Sequence, residues 1–452
     1  MKREFEEESI IFASIAKWFF LATLTGAVIG LASALFLKVL NFSIQTGERY
    51  HYYFLLLPAG LLVSVLIRKM TGDESRGLGA EIEAVHKKSG KIKPRAVLLK
   101  LVATVVTVAT GGSAGKEGPC AEIGAGISSI LSDVLKLNKY DRRKLVICGI
   151  SAGLAAVFGT PISGAIYGIE VLAVGSILYD VLMPAFVAGI TAYHVSSALG
   201  IQYFSYKITV VPVFGEAFLL KVVAAGLFFG LCSFLLIYSL RIGRSLVDRI
   251  KVGESLKAVM GGIVLVGLAF AVSPQYLGLG LKTTENVLSG ADIIWYAFIM
   301  KMIFTSVTFS SGGCGGIVTP IFFIGAAAGS LFAKVLGLDP ATFAALGALS
   351  VMAGATNTPI AASIMALELF GTAIAPYATI ACAVSFLMTG HRSVYPYQLL
   401  GVQKSSMLKV DLGTEMENVH VEIDEEIDNI ASRCLARLKH LRKMLVSRKK
   451  KR

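Results

Sequence analysis

Residues 106–129 read VTVATGGSAGKEGPCAEIGAGISS, a glycine-crowded turn around a lysine with a helix-like run behind it. Three chemistries use residues of this kind. A phosphate-binding loop, G-x-x-x-x-G-K-[ST], needs a glycine where Thr110 stands and a hydroxyl where Glu117 stands, and a carboxylate there repels phosphate. A serine nucleophile is suggested by GGSAG (111–115), which satisfies G-x-S-x-G around Ser113. That motif works only on a strand-to-helix elbow with a histidine partner. His51, His86, His194, His391, His420 and His440 all lie near segment ends or in loops, so Ser113 reads as a small loop residue and the chain as a non-enzyme. The third chemistry is anion binding: a helix N-terminus offers free N–H groups and the positive end of the helix dipole. Glu117 then stands as a carboxylate in the middle of an anion site.

Composition says what kind of element carries this turn. Of 452 residues, 55% are hydrophobic and 16% charged, with a mean hydropathy of +0.70. So few charges do not cover the surface of a soluble protein of this length. Apolar runs recur at about 11–40, 53–67, 97–110, 142–175, 178–199, 216–240, 258–273, 293–310, 320–337 and 341–389. Some reach the roughly 20 residues that span a bilayer and others fall short. The chain reads as an all-α polytopic membrane protein, without a cleavable signal peptide in MKREFEEESI. Its six cysteines, at 120, 148, 232, 314, 382 and 434, have no metal-ligand spacing and read as small packing residues, with no metal or cofactor implied.

The net charge of +13 is distributed by topology rather than for nucleic acid. Lys and Arg cluster at 68–76, 86–95, 138–144, 241–257 and the C-terminal tail, while 41–52, 200–215 and 371–378 carry few or none. The positive-inside rule then puts both termini and the basic loops in the cytoplasm.

Two segments recur. GGSAGKEGPCAEIGA (111–125) matches GGCGGIVTPIFFIGA (312–326) at an offset of 201, and GTPISGAIYGIE (159–170) matches NTPIAASIMALE (357–368) at 198. The membrane part, 12–400, is therefore two related halves, about 12–200 and 216–395, read as inverted-topology repeats with broken and re-entrant helices. Such folds hold their substrate near the midplane, where interrupted hydrophobic segments meet. Gly115 and Gly316 each stand four residues before a proline, and proline suits a first helical turn. Taken singly these patches are kinks or close helix contacts; as a matched pair they point to the site. Helix N-termini there favour an anion over a coupled cation, which would call for helix C-termini and unwound carbonyls.

These motifs resemble the CLC family of chloride channels and proton-coupled chloride exchangers. GKEGP (115–119) is similar to its G-[KR]-E-G-P motif, GGIVTP (315–320) to G-x-F-x-P, GLGAEIEAV (77–85) to the segment G-S-G-I-P-E, and SVYPYQLL (393–400) to the final segment with its ion-contacting tyrosine. The resemblance implies a homodimer with one anion pathway per subunit, gated by Glu117. The ionised carboxylate competes with chloride for the helix ends; protonated, it lets go. The bland alternative is an acid that only stabilises its own helix N-terminus. Anion-binding positions carried over are Gly77, Leu78, Gly79, Gly115, Lys116, Gly118, Ile317, Val318 and Tyr395.

Three departures matter. The family's filter serine falls on Leu78, which leaves the backbone N–H groups of Gly77, Leu78 and Gly79 and opens the choice among chloride, nitrate and fluoride. The phenylalanine of G-x-F-x-P is Val318. The inward-facing acid of the exchangers is Val171, which carries no proton, so channel-like or weakly proton-coupled transport is expected ahead of antiport through an unrecognised inner route. Glu170 and its repeat partner Glu368 are intramembrane acids, candidates by default, and read best as buried structural groups. Residues 1–11 are expected to form a cytoplasmic N-terminus and 401–452 a cytoplasmic tail. In that tail Ile423, Ile427, Ile430, Cys434, Leu438, Leu441 and Leu445 mark an amphipathic helix. It would pair with its mate, dock on the membrane part, or lie on anionic lipid.

Overall fold

Proline and glycine cut the apolar runs into helices of unequal length. The computed structural model describes residues 2–71, 78–203 and 215–424. Along them run α1 (Lys2–Glu48), α2 (Leu57–Thr71), α3 (Gly79–Lys87), α4 (Pro94–Ala109), α5 (Glu117–Val134), α6 (Lys139–Phe158), α7 (Pro161–Glu170) and α8 (Tyr179–Ala198). The second half contributes α9 (Glu216–Arg249), α10 (Glu254–Ala271), α11 (Leu281–Leu288), α12 (Ala297–Ser310), α13 (Val318–Leu336), α14 (Pro340–Thr356), α15 (Pro359–Phe370) and α16 (Ala375–Thr389). The run 142–175 breaks where Gly159 turns left-handed (φ 72°) and Pro161 starts α7. The run 341–389 breaks at Asn357 (φ 56°) and Pro359.

Among the described residues six helices are long and apolar enough to cross a bilayer, and α12, α14, α15 and α16 are shorter apolar ones. Helices α6 and α14 lie at the centre: every residue of 145–158 and of 342–356 is buried, as an all-round apolar helix requires. The outer helices instead turn large apolar side chains outward, among them Phe19, Phe20, Leu98 and Leu220. In a bilayer that surface meets lipid, and helices satisfy their own backbone groups there.

The two halves meet about a local two-fold. Gly115 N–H donates to Gly316 O (2.6 Å) and Gly316 N–H to Gly115 O (2.8 Å); these are the residues related by the offset of 201. Ser113 N–H donates to the Thr308 hydroxyl (3.0 Å) and Cys314 N–H to the Thr107 hydroxyl (3.1 Å), again an exchange of equivalents. Reciprocal bonds between a residue and its own repeat copy are what a two-fold relation produces. The glycines are needed where the strands touch: a Cβ on Gly316 would lie 2.7 Å from Gly118 N and 2.9 Å from Glu117 Oε2.

One face collects the basic loops. Lys69 reaches Glu254 (3.8 Å), Lys87 reaches Glu415 (2.7 Å), and Lys17 reaches Asp141 (2.6 Å). Arg244 and Glu417 line one cavity there with Tyr397. The segment behind α16 also returns to this face. Strand β1 (Ala173–Val174) pairs in parallel with β2 (Leu399–Leu400), and β3 (Leu408–Lys409) antiparallel with β4 (Glu422–Ile423). Val174, Leu400 and Met416 form a small core of their own.

Two expected boundaries shift. Helix α1 begins at Lys2 and runs through the expected N-terminal boundary at residue 11 without a break; at 1.5 Å per residue its 47 residues span about 70 Å, more than twice a hydrocarbon core. Residue 400 is not an edge, because Leu400 N–H donates to Thr414 O (2.9 Å) and Met416 N–H to Gln398 O (2.9 Å). The heptad stripe of the tail lies almost wholly outside the described residues. Cys120, Cys148, Cys232, Cys314 and Cys382 are buried free thiols, as packing residues should be; Cys434 lies outside the described residues.

Candidate functional site

Glu117 is the first residue of α5, and Val318, its repeat counterpart, is the first of α13. Both helices place a proline in the first turn, where a missing N–H costs nothing. Their N-termini are brought together by the Gly115–Gly316 bridge. Glu117 crosses that bridge. Its carboxylate accepts from Thr319 N–H (3.2 Å) and, more closely, from the Thr319 hydroxyl. A carboxylate of the first repeat is thus held by the helix N-terminus of the second, 3% exposed. The reverse contact is impossible, because Val318 has no polar atom and Gly118 stands where Thr319 has its hydroxyl. The two-fold is broken at these two positions.

Cavities open on both sides of Glu117. On the basic face a cavity of about 420 Å³ is lined by Leu78, Gly118, Gly316, Ile317 and Tyr395, with Arg68 and Arg244 further out. Four segments far apart in sequence, around residues 78, 118, 317 and 395, therefore converge on one space. On the opposite face a narrower cavity of about 80 Å³ is lined by Lys116, Glu117, Phe158, Tyr203, Thr319 and Phe322. The Glu117 side chain belongs to the small cavity and the neighbouring Gly118 backbone to the large one. Between them stand the carboxylate and the ends of α5 and α13.

The remaining positions separate into contributors and supports. Leu78 precedes α3 and is buried against the large cavity; Gly79 opens the helix and packs on Tyr397. Gly77 lies outside the described residues. Tyr395 is buried, and its hydroxyl meets that of Tyr167 at 3.1 Å. Gly115 does not supply a free N–H, as the helix-end reading expected, because Gly316 O takes it; its contribution is room for the Glu117 carboxylate, which a Cβ would strike. Ser113 is fully buried and its hydroxyl meets that of Thr305 (2.9 Å), a packing role. Thr319 and Tyr167 were not singled out by sequence. The only signal was a hydroxyl in the second repeat's first helical turn.

Glu170 and Glu368 cap helices across the two-fold. Glu170 accepts from Ile360 N–H (3.0 Å) and Ala361 N–H (2.8 Å) at the start of α15. Glu368 accepts from Ile162 N–H (2.9 Å) and Ser163 N–H (2.8 Å) at the start of α7. Each carboxylate neutralises the positive end of the other repeat's helix. Beside Glu170, Val171 is fully buried, and its carbonyl accepts from Gln398 Nε2 (3.0 Å).

Comparison with known proteins agrees with this geometry. Residues 59–390 match the family model described as voltage gated chloride channel. A protein of Pseudomonas syringae pv. tomato named chloride/fluoride channel protein is 38% identical over 399 residues, covering 86% of this chain and 88% of that one. A Shigella flexneri protein named voltage-gated ClC-type chloride channel ClcB is 27% identical over 75% of the chain and 85% of the relative. A crystal structure of a CLC-type fluoride/proton antiporter superposes with a TM-score of 0.82 at 29% identity, over 85% of this chain and 98% of that one.

Proposed function

Since the chain belongs to the CLC family of voltage gated chloride channels, a multi-pass membrane family that moves anions, we propose that it carries a small halide, fluoride or chloride, in exchange for protons, with Glu117 as both gate and proton carrier. The observation that carries this reading is the place of Glu117: one carboxylate, held by Thr319, between a cavity on each face. Ionised, it occupies the helix ends as a tethered anion. Protonated, it loses its charge-assisted bonds and yields the place to a halide. A side chain that swings from the small cavity it lines to the large one takes up and releases protons on either side, so no second acid is needed and Val171 is no obstacle. Fluoride enters from the names of two relatives, one a chloride/fluoride channel and one a fluoride/proton antiporter. With Leu78 in place of a filter hydroxyl and the Thr319 hydroxyl committed to Glu117, the side-chain donors lining the site are the Tyr395 hydroxyl and the Lys116 ammonium, set among backbone N–H groups. Such a dense donor set suits a small, strongly hydrated ion that must be compensated for its lost water.

A second reading, channel-like passage with little proton movement, is favoured by the buried apolar Val171 and its occupied carbonyl. Sealed vesicles decide between them. With purified protein and no other permeant ion, an outward fluoride or chloride gradient should drive protons uphill, and Glu117→Gln should abolish this while still passing anion. Anion flux with no uphill protons supports the channel; a folded but inert Glu117→Gln variant sinks the gate itself. The basic face is taken as cytoplasmic by the positive-inside rule, and a homodimer as the working unit; cysteine labelling from each side and single-molecule photobleaching test these.

A further inference from the structure

Away from both cavities, α1, α4 and α5 enclose a third hollow, of about 660 Å³, whose walls are wholly apolar. Leu35 and Val39 come from α1, Leu98 and Val102 from α4, and Ile127 and Ile130 from α5. It opens outward: Leu35 and Leu98 are each 65% exposed and Val102 is 51% exposed. The floor is low because Gly126 lets α4 lie close on α5; a Cβ there would come within 2.9 Å of Val97. The volume falls in the usual range of ligand pockets.

The hollow ends at Pro94, the first residue of α4. The basic stretch 86–95 runs straight into Pro94, and by the positive-inside rule such a stretch marks the membrane edge, so Pro94 stands near the edge of the hydrocarbon layer. The strand before it is stapled to α5, with Ile92 N–H donating to Ser129 Oγ (3.0 Å), one residue from Ile130 in the wall. Lys91, Lys93 and Arg95 are thereby fixed around this end, all three exposed. The neighbouring bases have acids: Lys87 has Glu415, Lys88 has Glu83, and Lys144 has Asp180. Among the described residues Lys91, Lys93 and Arg95 have none.

We propose that this groove and its basic rim bind one anionic phospholipid, an acyl chain lying along the groove and the phosphate on Lys91, Lys93 and Arg95. The occupant follows from the surroundings: an apolar trough open to hydrocarbon, ending at the headgroup level in three cations without counterions among the described residues. A bound chain braces α5 along the face below Glu117, so the lipid also steadies the gating helix.

The test is native mass spectrometry of the full chain released from detergent, with phosphatidylglycerol or phosphatidylcholine supplied. Wild type should keep one phosphatidylglycerol with about tenfold or more preference over phosphatidylcholine, as three cations near an anionic surface predict. Lys91→Gln/Lys93→Gln/Arg95→Gln should lose the preference but still hold either lipid weakly. Val102→Trp, at an exposed wall position, should lose retention of both while eluting as folded protein. Soluble glycerol phosphate should not displace the lipid. Undiminished preference in the triple variant, unchanged retention in Val102→Trp, displacement by glycerol phosphate, or cross-linking of a second copy through Leu98 would each overturn the proposal.

Discussion

Replacing Thr319 by valine keeps the shape of the side chain and removes the hydroxyl that donates to Glu117. Thr319 is 1% exposed and Glu117 3%, so no bulk water replaces the lost donor without rearrangement. A hydrogen bond to a charged group contributes about 1.5–3 kcal/mol. The Thr319 N–H remains at 3.2 Å, and the carboxylate borders a cavity through which some water enters. A figure at and just below the lower end of that range, about 1–2 kcal/mol, is the fitting one, a factor of about 5–30 in the balance between tethered and released carboxylate. If, as proposed, the tethered carboxylate and the halide compete for the same helix ends, apparent halide affinity should rise by that factor wherever the tethered state dominates. Calorimetric titration of fluoride and chloride at neutral pH measures it, and Thr319→Ser should restore the wild-type value. A double-mutant cycle with Glu117→Gln isolates the contact. If Thr319→Val changes halide affinity as much in the Glu117→Gln background as in wild type, the tether is not what Thr319 provides and the reasoning fails.

Further outcomes follow from the supports of the site. Glu170→Gln leaves one buried helix-end N–H facing an amide, at about 1–3 kcal/mol, and Glu368→Gln costs less because the α7 end it caps is partly exposed; melting temperature should fall, more for Glu170→Gln, while halide preference stays, and altered proton coupling at unchanged stability would mark them as functional acids instead. Met416→Ala should cost about 2 kcal/mol or more by opening the small core on Val174 and Leu400, and truncation after Leu400 should cost more; an unchanged melting temperature for both would mean that residues 401–424 only rest on the surface. Lys404 donates to Asn357 Oδ1 and Phe386 O, both at 2.7 Å, and burial, helped by the Arg392 charge, pulls its ammonium down to about 7. The unfolded lysine still holds its proton up to about pH 10, so the hold of this segment should be weakest and flat below pH 7 and strengthen from pH 7 toward 10. Proteinase K cleavage within 401–424 should slow over that interval, and Lys404→Met should remove the dependence.

What could be read in advance, and what could not, divides along the two-fold. Self-comparison finds sameness, and the elements that hold the halves together are the same in both: Gly115 bonds Gly316, and Glu170 and Glu368 cap each other's helices. The offset of 201 became hydrogen bonds between the paired residues themselves, and the offset of 198 an exchange of caps between the paired helices. Glu117 was legible because its motif is local. Thr319 was not, since it stands opposite Gly118, and a mismatch between repeats looks like drift. Tyr167, which orients Tyr395, stands opposite Met365 and was passed over for the same reason. Residues 401–424 lack any period, because they are held by backbone bonds to 398–400 and by single side chains such as Lys404 and Met416 rather than by a periodic apolar face. The start of α1 did have a signal, acidic residues suited to a helix N-terminus, which hydropathy alone overlooks. A site on a local symmetry axis can be gated by a single carboxylate only if it differs from its own copy. Perfect repeats would oppose Glu117 with a second glutamate, and two carboxylates over one bridge would repel each other and exclude the halide. Val318 and Thr319 are that difference: one removes the rival charge, the other supplies the hydroxyl that holds the charge that remains.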